Sequence, residues 1–312
     1  MIDSQLLEAL QIRYVKLHFT ISFTEDAVLP VNKVSALRGG MGEMLLRANC
    51  IRDRRCEVCD FETECIVRRT MYSKFEEKPA YITTGESVGY VLECENYVTE
   101  FLCGETLEFH LLLFGRTIVY LNQFLQAFHA LGMNGLGRNH ARFQIISLTN
   151  TKKQEILRDN YVLMKNYVIH CVSDYVKYRM EKILQNGIQG ILVFKTPLTL
   201  KYHNEFLQEF QMEAILNAVK RRIQMLDCFE QIQNDFYYDY QVAIPEITEQ
   251  DHQFIKVRRY SSRQENQMYL KGIKGQLQMK EISDNAVLLL LAGELLHIGK
   301  NTSFGFGRYQ LK

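Results

Sequence analysis

The feature that most limits what this chain can become is an order of six elements met twice. Residues 14–24 alternate cleanly, with Leu17, Phe19, Ile21 and Phe23 on one side and Lys16, His18, Thr20 and Ser22 on the other. Side chains two apart in a strand share a face, so this segment is a half-buried strand. A helix opens at Asn32 and runs to about residue 49, with Val34, Leu37, Met41, Met44 and Leu45 aligned. Gly39, Gly40 and Gly42 lie inside it. Each costs roughly 1 kcal/mol against alanine, which points to close backbone packing or to a ligand pressed on that turn. Strands near 87–95 and 106–114, a helix over 117–131, a glycine loop at 132–137 and a strand over 141–148 complete the order β-α-β-β-α-β. The same order returns as strand 190–200, helix 209–231, strands 253–260 and 268–281, helix 284–297, a glycine loop and a strand over 304–311.

Two copies of the split β-α-β unit predict an α+β chain of two tandem ferredoxin-like (βαββαβ, RRM-like) domains. The expected bounds are 1–150 for the first domain, 151–188 for a connecting segment and 189–312 for the second, with a cysteine-rich insertion at about 50–80. A length of 312 residues and 47% apolar content suffice for two medium cores. Four prolines and no low-complexity tract leave no obvious disordered linker. The formal charge of +1 provides no global field for nucleic acid, so such affinity has to come from local basic patches. Residues 1–10 lack the layout of a signal peptide, and the apolar run 287–298 is short and broken by Glu294. It reads as a core helix, and the chain as cytoplasmic with no membrane partner.

Eight cysteines without a secretion signal suggest reduced thiols. Cys50, Cys56, Cys59 and Cys65 follow the pattern C-x5-C-x2-C-x5-C, and four thiolates in one short loop can close a tetrahedral site. The expected group is a structural zinc. The alternative is a 4Fe-4S cluster, since the spacing resembles, one residue short, the iron–sulfur loop of helix-hairpin-helix DNA glycosylases. Cys94, Cys103, Cys171 and Cys228 are scattered and read as buried small apolar residues. His129 and His170 lie in apolar stretches and read as core, and Lys220-Arg221-Arg222 as a partly solvated helix face.

The stretch from His297 to Tyr309 carries Gly299, Lys300, Gly305, Gly307 and Arg308. Glycines beside cations let backbone N–H groups approach an anion. It is not a P-loop, because Asn301 follows Lys300 and the order is helix to strand. A turn with purely steric glycines is the bland alternative. This loop resembles the signature of the RAMP (repeat-associated mysterious protein) superfamily, and within it the CRISPR-associated precursor-RNA-processing endoribonucleases. The family loop reads G-x-G, five residues, G-x-G. Here Gly305 and Gly307 keep the second pair, while His297 replaces the leading glycine of the first, followed by Gly299. Leu37-Arg38-Gly39-Gly40-Met41-Gly42, Phe194 to Leu198, Arg259 to Gln264 and Gly135 to Phe143 agree with it, the last with Asn139-His140 where glycine and a small or basic residue are expected.

The resemblance implies a protein that binds CRISPR repeat RNA and cuts it without a metal, by attack of the adjacent 2′-hydroxyl. That reaction needs a base, an acid and a cation for the developing charge. Histidine suits the first two because its pKa sits near neutrality. His297 ranks first, at the loop mouth near Lys300 as the cation; His140 follows in the corresponding loop of the first half, and His18 on the polar side of the first strand. Structural or surface histidines are the alternative for each. Gly299, Gly305, Gly307, Arg308, Lys256, Arg258, Arg259, Arg263 and Arg142 are the expected RNA contacts, alternate strand residues tracking phosphates together. A charged edge strand protected from pairing is the competing account of the Lys256 to Arg263 group. The second reading is a non-catalytic RNA-binding subunit, partnered by other CRISPR-associated interference proteins.

Overall fold

The computed structural model describes residues 4–72, 75, 87–159, 161–234, 240–261 and 266–312. Strand β1 (Arg13–Phe23) turns Leu17, Phe19, Ile21 and Phe23 into the core and leaves Lys16, His18, Thr20 and Ser22 half-buried on its other face. Helix α1 (Lys33–Asn49), strands β2 (Tyr90–Glu93) and β3 (Thr106–Phe114), helix α2 (Leu121–Asn134) and strand β4 (Phe143–Thr149) follow. Antiparallel pairing gives the order β2-β3-β1-β4, with His170–Cys171 adding a short fifth strand beside β1. On the apolar face Phe19 stacks on Phe109 at 5.0 Å and Phe128 of α2 tilts against both. The glycines of α1 divide by role. A Cβ on Gly40 would stand 2.5 Å from the Leu131 side chain, and one on Gly42 2.6 Å from Met71, whereas Gly39 has nothing within 4 Å.

The second half contains helix α3 (Val172–Asn186), strand β5 (Ile191–Leu198), helix α4 (Met212–Glu230), strands β6 (Glu246–Ser261) and β7 (Asn266–Lys280), helix α5 (Asp284–Leu296) and strand β8 (Tyr309–Leu311). Its sheet has the order β6-β7-β5-β8, again antiparallel. The architecture is therefore mixed α/β on antiparallel sheets. A helix apolar all round has to be buried, and α5 packs between α3 and α4 with Ala286 to Gly293 all buried. Beyond Asp284 at its start, its carboxylate Glu294 is held by Arg179 at 2.7 Å and by the Tyr175 hydroxyl at 2.5 Å. The stretch 151–188, expected as a connection, contributes Val172, Val176, Met180 and Ile183 of α3 to the second core.

One end of the first sheet joins that same core: Tyr14, Val91, Leu112 and Phe114 belong to one apolar cluster with Leu226 and Phe229 of α4. Arg222 corrects the solvated-face expectation. It is only 2% exposed, and its guanidinium donates to Leu296 O at 3.1 Å and Val88 O at 3.2 Å. A buried guanidinium is tolerated because it satisfies carbonyls left over at the end of α5 and beside the first sheet. His129 is exposed rather than core, since Phe128 takes the inward position of α2. Cys103 is likewise exposed, and Cys94, Cys171 and Cys228 are half-buried rather than buried. Among the described residues no helix is long and apolar enough to cross a membrane.

Candidate functional site

A groove of about 1220 Å³ runs between the two halves. Its walls are the start of α1, the loop Gly135 to His140 that follows α2, strand β6, and the loop Phe304 to Arg308. Eight lysines and arginines line it against only Glu43 and Glu93, although the chain as a whole is nearly neutral. Glu43 pairs with Arg47 and Arg54, and Arg308 with Glu93 and Glu95. Arg138, Lys195, Lys256, Arg258 and Lys274 have no carboxylate partner among the described residues. Such one-sided charge in a concave wall concentrates the field for a polyanion. Lys256 and Arg258 are both exposed on one face of β6, and Lys274 stands over the ring of Tyr97 at 5.8 Å. Gly39, whose missing side chain touches nothing, also faces this space. Arg38 beside it stacks on Phe304 at 4.1 Å and donates to Ser303 and Ser87, tying α1 to the C-terminal loop.

Glu93 ends β2 at the edge of this groove and gathers cations from both halves. Its carboxylate accepts from Lys16 Nζ at 2.7 Å and from His297 Nε2 at 3.0 Å, with Arg308 Nε at 3.5 Å. Burial works against its charge, but Lys16, His297 and Arg308 together hold its pKa well below the usual carboxylate range. The strand register then sets a row across the open sheet face: Glu93 opposite His110, and His110 opposite His18. The two imidazoles stack, and their side chains are 30% and 37% exposed for His18 and His110. His110 Nδ1 lies 3.9 Å from Glu93, and His18 Nε2 lies 3.3 Å from Glu108 without a well-directed hydrogen bond. Burial, then the nearby Lys16 charge, pushes the His110 pKa down to about 4. Two part-exposed imidazoles and an ammonium, lying next to the Glu93 that lines the basic groove, are the groups an acid–base reaction on a phosphodiester needs.

The sequence-derived candidates fall in different places. His18 belongs to this cluster, and His140, exposed at φ 53°, lines the groove wall. His297 is not at a loop mouth. It is fully buried, with Nδ1 3.1 Å from Phe306 O and Nε2 on Glu93, so no substrate hydroxyl can reach its ring. Both partners are acceptor oxygens, a pair only the imidazolium satisfies in full; burial opposes that charge and lowers the pKa, with Glu93 pulling the other way. Lys300 is half-buried, its N–H bonded to Thr199 O, and it does not line the groove. Gly299, Gly305 and Gly307 all have positive φ, and a Cβ there would meet the backbone oxygens of Thr199, Leu92 and Ile298 at 2.5, 2.7 and 1.8 Å. The N–H groups of Gly305 and Gly307 go to Thr302 O and Pro197 O. The loop is thus a wedge against the first half, not a cradle of open amides. Arg142 is exposed and paired with Glu25, Arg259 stands opposite Met268 in the ladder, and Arg263 lies outside the described residues.

Sequence reasoning missed Glu93, His110 and the role of Lys16. A glutamate closing Tyr90-Val91-Leu92 and a histidine within an apolar run are visible signals, but only the register brings them opposite one another. Cys50, Cys56, Cys59 and Cys65 all line a second cavity of about 370 Å³. Among the described residues, no three His, Cys, Asp or Glu side chains stand close enough to hold one ion.

Residues 10–168 match the AF_1859_N family model, described as an N-terminal domain, and residues 192–309 match the model of the CRISPR-associated endoribonuclease Cas6. A relative from Archaeoglobus fulgidus, an "uncharacterized protein", is 23% identical over 289 residues that cover 91% of this chain and 93% of the relative. A chain of a partial Cas6-RT-Cas1–Cas2 complex shares the fold with a TM-score of 0.59 at 12% identity, over 97% of this chain and 46% of that one. A chain of a Cas6-RT-Cas1–Cas2 complex gives 0.59 at 12%, over 97% and 29%. The present chain therefore spans less than half the length of those two solved chains.

Proposed function

With the chain belonging to the CRISPR-associated, RNA-processing RAMP-type family, we propose that it binds CRISPR repeat RNA in the basic groove and cuts it at the His18–His110 pair. The observation that carries the reading is the placement of that pair, stacked and part-exposed, one residue across the ladder from a carboxylate that lines the groove. In this reading the two halves act as tandem ferredoxin-like domains, 1–150 and 189–312, whose junction is the groove.

The chemistry follows from the groups present. His110, neutral above its depressed pKa, takes the proton of the 2′-hydroxyl as its oxygen forms a bond to the adjacent phosphorus. His18 returns a proton to the departing 5′-oxygen, leaving a 2′,3′-cyclic phosphate and a 5′-hydroxyl. Lys16 offers positive charge to the oxygens of the pentacoordinate state. No metal is required by these roles. His297, sealed behind Glu93, holds that carboxylate, and through it Lys16 and Arg308, in place. His140 and Arg138 contact RNA from the groove wall, where Lys256 and Arg258 track phosphates opposite them.

The test is to incubate the purified chain with labelled repeat RNA in EDTA. Site-specific cleavage leaving a 5′-hydroxyl supports the reading. Tight binding with the RNA left intact would instead make the chain a non-catalytic RNA-binding subunit of a larger assembly with other Cas proteins.

A further inference from the structure

The cavity beside α1, away from the groove junction, is lined by all four closely spaced cysteines, Cys50, Cys56, Cys59 and Cys65. We propose that these four thiolates hold an iron–sulfur cluster of the cubane type, a structural centre for the insertion. Three observations combine. Cys50 caps the end of α1, Cys56 and Cys59 bracket one 3-10 turn and Cys65 precedes a short helix, yet all four line one cavity, and each is half-buried rather than turned to solvent. No disulfide joins them. Arg52, Arg55 and Arg68 line the same cavity beside Glu62 and Glu64, Arg52 pairing with Asp60 and Arg68 with Glu62, and the backbone N–H of Arg54 donates to Cys50 Sγ at 3.1 Å. A four-thiolate centre with net negative charge is stabilised by amide donors and cations.

The size of the space favours a cluster over a single ion. A zinc ion draws its four sulfurs to about 2.3 Å from one point. Among the described residues no three such donors stand close enough to hold one ion, while all four thiols line a space of about 370 Å³. A group several ångströms across that meets each thiolate with a different metal atom fits that ring without collapsing it. Assembly is ligand exchange: each thiol loses its proton as its sulfur bonds to iron, and the cluster brings its own iron and sulfide, with no redox step on the protein.

The test is metal, sulfide and spectral analysis of the full chain purified without oxygen. About four irons and about four sulfides per chain, with a brown colour bleached by dithionite, are expected. Cys59→Ser should lose most of that iron, while Cys103→Ser, an exposed cysteine outside the cavity, should keep it. One zinc per chain with no sulfide overturns the cluster, and no bound metal, with all four thiols freely alkylated in the folded chain, overturns the site itself. RNA cleavage in the Cys103→Ser protein reports separately on the proposed function, so the two readings can fail independently.

Discussion

His18 and His110 face each other across the β1–β3 ladder with ring centroids 4.7 Å apart and planes 19° from parallel. Two imidazoles so close cannot both carry charge cheaply, and burial, with Lys16 nearby, pushes the His110 pKa down to about 4. His110→Ala should lower the single-turnover cleavage rate by about 10²–10⁴ and leave repeat-RNA affinity within a few-fold. Because the His110 pKa is so low, the wild-type rate should not fall on its account between pH 8 and pH 5, and should drop only on approach to pH 4. Equal losses in binding and cleavage would move His110 from proton transfer to RNA positioning.

Among the ion pairs of the described residues, Glu93 is the one carboxylate that meets Lys16, His297 and Arg308 together, and Arg308 also pairs with Glu95. Removing it leaves Lys16 half-buried without its carboxylate and the buried His297 Nε2 without its acceptor, while Arg308 keeps Glu95. Glu93→Ala should cost about 3–5 kcal/mol of unfolding free energy, read by urea denaturation. The pH sign follows from its depressed pKa. The stabilisation is present above the ordinary carboxylate value near 4.5 and is lost as pH falls through the lower folded value. Wild-type stability should therefore decline in acid below about pH 4, and Glu93→Gln should be less stable at neutral pH with a flatter acid limb.

How much of this was legible in the chain depends on which forces are local. Alternation in β1 and the aligned apolar residues of α1 and α2 marked the elements, because strand and helix periodicity are properties of neighbouring residues. His297 read as accessible because a histidine in a glycine loop normally meets solvent, yet the loop docks on the first half and Gly305 packs against Leu92 O. Arg222 read as surface for the same reason: nothing local announces that its guanidinium reaches Val88 across 134 residues. The Glu93–His110–His18 row depends on register between distant strands, and a single residue's slip would face each side chain the other way.

The groove charges should show themselves through salt. Lys256 and Arg258 protrude from one face of β6, and neither meets a carboxylate among the described residues. If each neutralises one phosphate, Lys256→Ala should weaken RNA binding about equally for all repeat sequences and reduce the slope of log affinity against log salt by about 1. The double substitution should take about 2 from it. An unchanged slope would mean that β6 is only a charged edge guarding the sheet.

Gly39 offers the sharpest separation of fold from ligand contact. It sits in the middle of α1, where glycine costs roughly 1 kcal/mol relative to alanine, and a Cβ there meets no atom within 4 Å. Nothing in the folded chain itself accounts for tolerating that cost. Gly40, its neighbour, differs: its missing side chain makes room for Leu131. Gly39→Ala should therefore raise the melting temperature, whereas Gly40→Ala, forcing Leu131 to shift, should lower it or leave it unchanged. If an RNA strand lies against the exposed backbone of α1, the stabilised Gly39→Ala chain should bind repeat RNA several-fold more weakly. Higher stability with undiminished affinity would place the strand elsewhere along the groove, towards Lys256 and Arg258.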